Sequence, residues 1–294
     1  MGRLILNADD FGLTSGVNRA VIELHRAGAL TSATLMARAS ATDEAIELAC
    51  ATPTLGVGCH VVLVDGEPIL SVPKISTLAQ SRTSRFYPTL GTFLRALFTG
   101  RVRSSEIEAE AAAQITLLQS MGVKLTHIDT HKHAHIFPAV LRPVLRAAKA
   151  AGIHAVRNPF EPAWSRRATH GTSLIRRAEV CLLALLEPTF RRIVAEEGFV
   201  TTDGALGVLA TGNLDSAQFD TLLGNLPAGT WELVTHPGYN DADLARAHTR
   251  LLSSRERERQ VLSSFRQFSS IERISFADVS MTAPTASSAS SSHP

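Results

Sequence analysis

The 294-residue chain is short of cysteine, of net charge and of long apolar runs, and each shortage removes a class of protein. Its three cysteines, Cys50, Cys59 and Cys181, are odd in number, scattered and without Cys-x-x-Cys spacing. They suggest neither a disulfide scaffold nor a zinc ribbon, and a reducing interior suits them. Lysine plus arginine number 29 against 27 for aspartate plus glutamate, a net charge of +2. The basic surplus of a dedicated nucleic-acid binder is therefore missing. At the start, Leu4-Ile5-Leu6 is the whole apolar stretch before Asn7-Ala8-Asp9-Asp10, too short for a signal segment or a spanning helix. Leu6 also stands where a myristoylation signal wants Ser or Thr. The cytoplasm is the expected location. At the other end, residues 281–294 are, apart from Met281 and His293, all Ser, Ala, Thr and Pro with almost nothing to bury, the composition of a disordered tail.

What remains is enzyme-like. Apolar residues make up 45% and charged residues 19% of the chain, a soluble globular composition, and residues 1–280 suit one α/β barrel domain. Strands are expected at Leu4–Leu6, Leu30–Ala37, Leu55–Leu63, His154–Arg157, Ala205–Ala210, Trp231–His236 and Arg273–Phe276. Helical patterns fall between them, among them Pro88–Phe98, Ser105–Met121 and a helix from Pro138. About eight short strands alternating with helices predict parallel βαβ units, an irregular TIM-like (β/α) barrel with its site at the strand C-termini. No internal repeat stands out.

The densest chemistry lies in Thr126–Pro138, which holds four of the eleven histidines. In an extended chain His127, Asp129, His131, His133 and His135 share one face. So dense a polar face is not ordinary core, because each buried imidazole needs a partner. It fits a strand whose end delivers metal ligands. Asp9, Asp10, His60, His131, Arg157 and His236 all fall at expected strand ends. Two adjacent carboxylates in a dry site call for a cation or a proton beside them. One Asp with two His leaves a divalent ion with open positions for water and substrate. The residues alone do not say which aspartate is the ligand.

Leu6-Asn7-Ala8-Asp9-Asp10-Phe11-Gly12, Gly58-Cys59-His60, Thr126–His133 and His236-Pro237-Gly238 resemble, in order and spacing, the motifs of the YdjC-like (ChbG-like) carbohydrate deacetylases. Within that family, His60–Pro68, His131–His135 and Phe276-Ala277-Asp278 look most like the hopanoid-biosynthesis branch, HpnK. The resemblance implies Asp10, His60 and His131 as metal ligands, Asp9 as catalytic base and His236 as a further catalytic histidine. It implies removal of an N-acetyl group from an amino sugar, for this branch an N-acetylglucosaminyl hopanoid lipid. Mg or Zn is the expected ion, with Co, Ni or Mn also suited to the mixed donor set. Arg157 is expected to orient Asp9 or to counter an oxyanion, and His133 and His135 to contact sugar or support the ligands. His127, earlier in the strand, is expected to pack.

Expected partners are an amino-sugar or glycolipid substrate, a peripheral membrane contact at the inner face of the membrane, and a second copy in a homodimer. Leu90, Phe93, Leu94, Leu97 and Phe98 form one apolar helix face ringed by arginines, a candidate for that membrane contact beside the plainer reading of a core-packed helix. Two other functions share the pattern. Non-haem iron oxygenases use two His and one carboxylate, usually on all-β scaffolds. A non-catalytic sugar- or lipid-binding barrel would have no need of a base beside a metal.

Overall fold

Strand β1 (Gly2–Phe11) is the axis of the molecule, a ten-residue run buried almost throughout. Its alternation divides two environments: Leu4, Leu6 and Ala8 join the large outer core, while Ile5 packs with Ala155, Ile274, Phe276 and Val279, as expected when successive side chains take opposite faces. The structure is a computed structural model and describes residues 1–265 and 271–281. The other strands are β2 (Ser32–Leu35), β3 (Gly56–Val61), the small ribbon β4 (Ala79–Gln80) and β5 (Arg85–Phe86), β6 (Leu125–Thr130), β7 (Gly204–Leu206), β8 (Gly229–Thr235) and β9 (Ile271–Arg273).

Seven of these form one sheet in the order β6-β3-β2-β1-β8-β7, with β9 on the first residues of β1, and every pairing in it is parallel. Single parallel bridges, Ile128 to Val156 and Ala155 to Val200, carry the arc past β6. The sheet curls into a half-barrel with helices on its outer face, which is the expected α/β, TIM-like architecture. His154–Arg157, expected as a strand, is held by these bridges and is not a ladder. Elsewhere the strands are mostly shorter than their apolar runs; β1 is longer, because its polar end stays paired with β2 and β8. Of the expected tail, 281–294, all but Met281 lies outside the described residues, and Met281 ends the helix Phe276–Met281.

The histidine-rich stretch is not one extended strand. β6 stops at Thr130, and His131–Ile136 coils into 3-10 turns with Lys132 and His133 at φ 57° and 52°. The common face therefore covers His127 and Asp129 alone. His127 sits low in the barrel, stacked on Phe276 at 3.8 Å between ring centroids, with Nδ1 2.9 Å from Thr126 Oγ1. Burial pushes its pKa down to about 3, so it packs as a neutral ring. Gly58 makes room for it, since a Cβ there would stand 2.5 Å from the imidazole. Gly58→Ala is expected to cost about 1–3 kcal/mol by overpacking, read as a lowered urea midpoint; an unchanged midpoint would mean the ring moves freely.

The helix Leu90–Phe98 turns its stripe inward. Phe93, Ala96 and Leu97 are buried, Leu90 and Leu94 pack on the core, and exposed Phe98 lies edge-on to Phe137 at 5.6 Å. The stripe thus serves packing and leaves little apolar surface for a membrane.

Candidate active site

The site forms where β1, β3 and β6 end. In a regular strand Asp9 and Asp10 would point to opposite faces. Here the register of β1 against β2 shifts between Ala8 and Phe11, and Asp10 takes φ 63°. This bulge swings Asp10 to the side already faced by Asp9, a common use of an extra residue at a strand end. A left-handed aspartate is costly, and the position it reaches explains why the chain holds it there.

Asp10 Oδ1 lies 3.5 Å from His60 Nε2 and 3.3 Å from His131 Nδ1, and the two imidazole nitrogens are 3.3 Å apart. Three donors held ~2.1 Å from one ion at tetrahedral to octahedral angles stand roughly 3.0–3.4 Å from each other. The triangle fits a divalent cation, with the same three residues forming one possible metal group. The other oxygen of Asp10 accepts from Arg255 Nη2 at 2.5 Å, which leaves Oδ1 as its one inward donor. His60 Nδ1 donates to Asp129 at 2.8 Å, fixing the tautomer that turns the Nε2 lone pair toward the triangle. Burial opposes charge on His60, while the neighbouring carboxylates Asp129 and Asp10 push its pKa up to about 10, a proton that a bound cation at Nε2 would replace.

Beside the triangle, Arg157 is fully buried and meets three carboxylates. Its Nη2 and Nη1 donate to the two oxygens of Asp9 at 2.6 and 2.8 Å, a forked pair. Nη1 also donates to Asp129 and Nε to Glu232 at 2.8 Å. Although burial favours a neutral carboxyl, Arg157 holds Asp9 well below the usual carboxylate range. Burial pushes Glu232 up to about 7 despite the same guanidinium. Asp9, Asp10, Asp129 and Glu232 are buried together, with Arg157 and Arg255 as the guanidinium partners among them. A cation in the triangle would offset the Asp10 carboxylate that faces it.

Asp9 Oδ1 is crowded, accepting from Asn7 Nδ2 at 2.9 Å and Thr34 Oγ1 at 3.1 Å besides Arg157. Its Oδ2 keeps free capacity and lies 3.7 Å from His236 Nε2. The backbone N–H of His236 is held by Glu258 at 2.6 Å, and its Nδ1 is buried without a partner. His133, half-buried, likewise has a buried, unpartnered Nδ1. His135 differs: Nδ1 meets Thr130 Oγ1 at 2.7 Å, Nε2 meets the Arg157 carbonyl at 3.2 Å, and the side chain is fully buried. It ties the turn after β6 to the Arg157 backbone and offers nothing to a sugar.

The structure thus gathers Asp9, Asp10, His60, His131, Arg157 and His236 and leaves His135 apart. It also brings in Asp129, Glu232 and Arg255. Glu232 had a signal, a lone charge inside the apolar run Trp231–Val234. Asp129 alternates with the histidines in the same way. Arg255 had none, lying in a run of alternating Arg and Glu on the helix Ser253–Ser263.

Comparison with known proteins agrees over nearly the whole chain. The carbohydrate deacetylase of Brevibacillus brevis is 42% identical over 147 residues, about half of each chain (50% of this one, 56% of that one). That of Thermoanaerobacter pseudethanolicus is 29% identical over 89% of this chain and 91% of its own. A crystal structure from Enterococcus faecalis V583, of a protein assigned to cellobiose-phosphate cleavage, superposes with a TM-score of 0.67 at 26% identity, covering 90% and 91% of the two chains. The family model described as YdjC-like protein matches residues 3–272, and the chain belongs to that family.

Proposed function

We propose that the protein is a metal-dependent hydrolase that removes an N-acetyl group from an amino sugar. The observation that carries this is the donor triangle of Asp10, His60 and His131 with the unliganded carboxylate of Asp9 beside it; the relatives named carbohydrate deacetylase support it. The segments that resemble the HpnK branch support the finer reading that the sugar is part of an N-acetylglucosaminyl hopanoid lipid.

A divalent ion bound there supplies a Lewis acid for the acetyl carbonyl and lowers the pKa of water toward ~7. Mg and Zn are the first choices. Asp9, anionic and fixed by Arg157, takes the proton of the attacking water at Oδ2. His236, on the same side and entering the step as imidazolium, donates its Nε2 proton to the departing amine nitrogen as the C–N bond breaks, and the proton held by Asp9 then restores it. Arg157 acts through Asp9, because its N–H groups face carboxylates and it has no exposed surface for an oxyanion. Asp129 keeps His60 in its ligating tautomer. His133, half-buried in the turn after β6, is the residue assigned here to contact the sugar.

The test is acetate release from N-acetylglucosamine oligomers and from an N-acetylglucosaminyl hopanoid, with and without chelator. Lewis-acid stabilisation is worth several kcal/mol, so chelation is expected to slow release by about two to three orders of magnitude, and added Mg, Zn, Co, Ni or Mn to restore it. Equal turnover after complete chelation would overturn the metal assignment. Turnover of the oligomers alone would remove the lipid.

A further inference from the structure

Arg157 and Arg255 are the two arginines without exposed surface among the described residues. Arg157 is met by three carboxylates, whereas Arg255 spends its charge on one oxygen. Its Nη2 donates to Asp10 Oδ2 at 2.5 Å and its Nε to the Leu251 carbonyl at 3.0 Å. Its Nη1 is buried without a partner among the described residues. Burying a guanidinium with a donor left unmatched is costly, so packing alone does not account for an arginine at this place.

The arginine stands on a rigid support. It lies in the first turn of the helix Ser253–Ser263, and its carbonyl accepts from the Gly238 N–H at 3.2 Å. A Cβ at Gly238 would stand 3.2 Å from Arg255 Cδ, so the glycine of His236-Pro237-Gly238 lets that loop close on the arginine's stem. Three residues further along the same helix face, Glu258 holds the His236 N–H at 2.6 Å. One helix thus supports both the donor triangle and the loop of His236.

Asp10 turns its two oxygens to different sides. Oδ1 is the nearer oxygen to His60 and to His131, at 3.5 and 3.3 Å, and Oδ2 lies on Arg255. The torsion that would swing Oδ2 inward is a soft rotation about an sp³–sp² bond. Among the described residues Arg255 is the carboxylate's one side-chain partner outside the triangle. We propose that Arg255 is the positioning residue that restricts Asp10 to a single donor oxygen and thereby sets which ion the triangle prefers. The inference rests on the metal-dependent reading above. One oxygen and two imidazoles leave places on the ion for both the attacking water and the acetyl carbonyl; a second oxygen from Asp10 would take one of them. Bidentate carboxylates suit larger, oxygen-bound ions of flexible geometry such as Ca, whereas compact sites with imidazole donors suit Co, Ni and Zn. By holding Oδ2 outside, Arg255 disfavours the large ion.

Titration of the metal-free full-length protein with Co2+, read by visible absorption, followed by displacement with Ca2+, tests the proposal. Wild type is compared with Arg255→Met and with Arg255→Gln, whose shorter side chain falls short of Oδ2; circular dichroism checks the fold of each. Wild type is expected to bind about one Co2+ per chain and to prefer it strongly over Ca2+. In each variant the affinity for Ca2+ relative to Co2+ is expected to rise about tenfold, the scale on which supporting residues of a metal site act. Arg255→Lys, which keeps a cationic donor, is expected to recover most of the wild-type preference. A merely structural role would weaken both ions alike, so an unchanged ratio in the folded variants would overturn the proposal and leave the metal-dependent reading standing. A wild type that binds no Co2+ would overturn both.

Discussion

Asp9→Asn is expected to lower kcat for acetate release by about a thousandfold, within the range usual for loss of a general base, while the metal content stays at that of wild type. Asp9 contributes no atom to the triangle of Asp10, His60 and His131, whose donors stand 3.3–3.5 Å apart without it. Its Oδ2 is the oxygen with spare capacity, and it faces His236. An amide nitrogen or carbonyl in its place can orient water but cannot keep a proton. Metal analysis beside single-turnover kinetics checks this. Loss of the metal from the variant would exchange the roles of Asp9 and Asp10, and unimpaired turnover would remove Asp9 from the chemistry.

Arg157→Leu carries the largest expected effect on stability. The side chain has no exposed surface, and Asp9, Asp129 and Glu232 all converge on it. Removing the guanidinium on which these three carboxylates converge leaves uncompensated buried charge, at about 3–5 kcal/mol for such breaks, read from urea unfolding at pH 7. Arg157→Lys restores charge but not the fork on Asp9 and should fall between. The pH dependence follows in sign. Burial alone would raise Asp9 and Asp129; Arg157 outweighs it and keeps both below their ordinary values. Groups with depressed folded pKa contribute stability that is present above the unfolded value, about 3.9 for Asp, and lost as pH falls toward the folded one. The gap between wild type and Arg157→Leu should therefore be widest near neutrality and shrink below about pH 4. A gap that does not change with pH would mean that packing, not charge, sets the cost.

Much of this site was legible in the sequence because its residues stand out against apolar strands. Asp9-Asp10 ends the run Leu4–Leu6, His60 follows Gly58-Cys59, and His131 closes the alternation from His127. Strand ends in a parallel βα protein face one side, so their convergence followed from topology. What could not be read was local geometry. The turn of Asp10 to φ 63° and the coil at Lys132 and His133 are backbone departures from the period of two, and they decide that Asp10 faces the site and His135 does not. Arg255 reaches Asp10 across 245 positions from a helix whose pattern is plainly charged. Its burial comes from tertiary packing and not from any periodicity. The apolar stripe at Leu90–Phe98 packs inward, whereas Leu174, Ile175, Leu182 and Leu185 stay exposed; the two runs look alike in sequence, and the difference is whether a core stands opposite.

The claim on which the account rests is that one carboxylate and two imidazoles from three distant strand ends close on a single divalent ion. Metal content by mass spectrometry, on wild type and on Asp10→Ala and His131→Ala after dialysis against trace metal, tests it most directly. The account predicts about one ion per wild-type chain and at least tenfold weaker retention in each variant, the scale on which even supporting residues of a metal site act. Full retention of the ion by both variants, with the fold intact by circular dichroism, would contradict it.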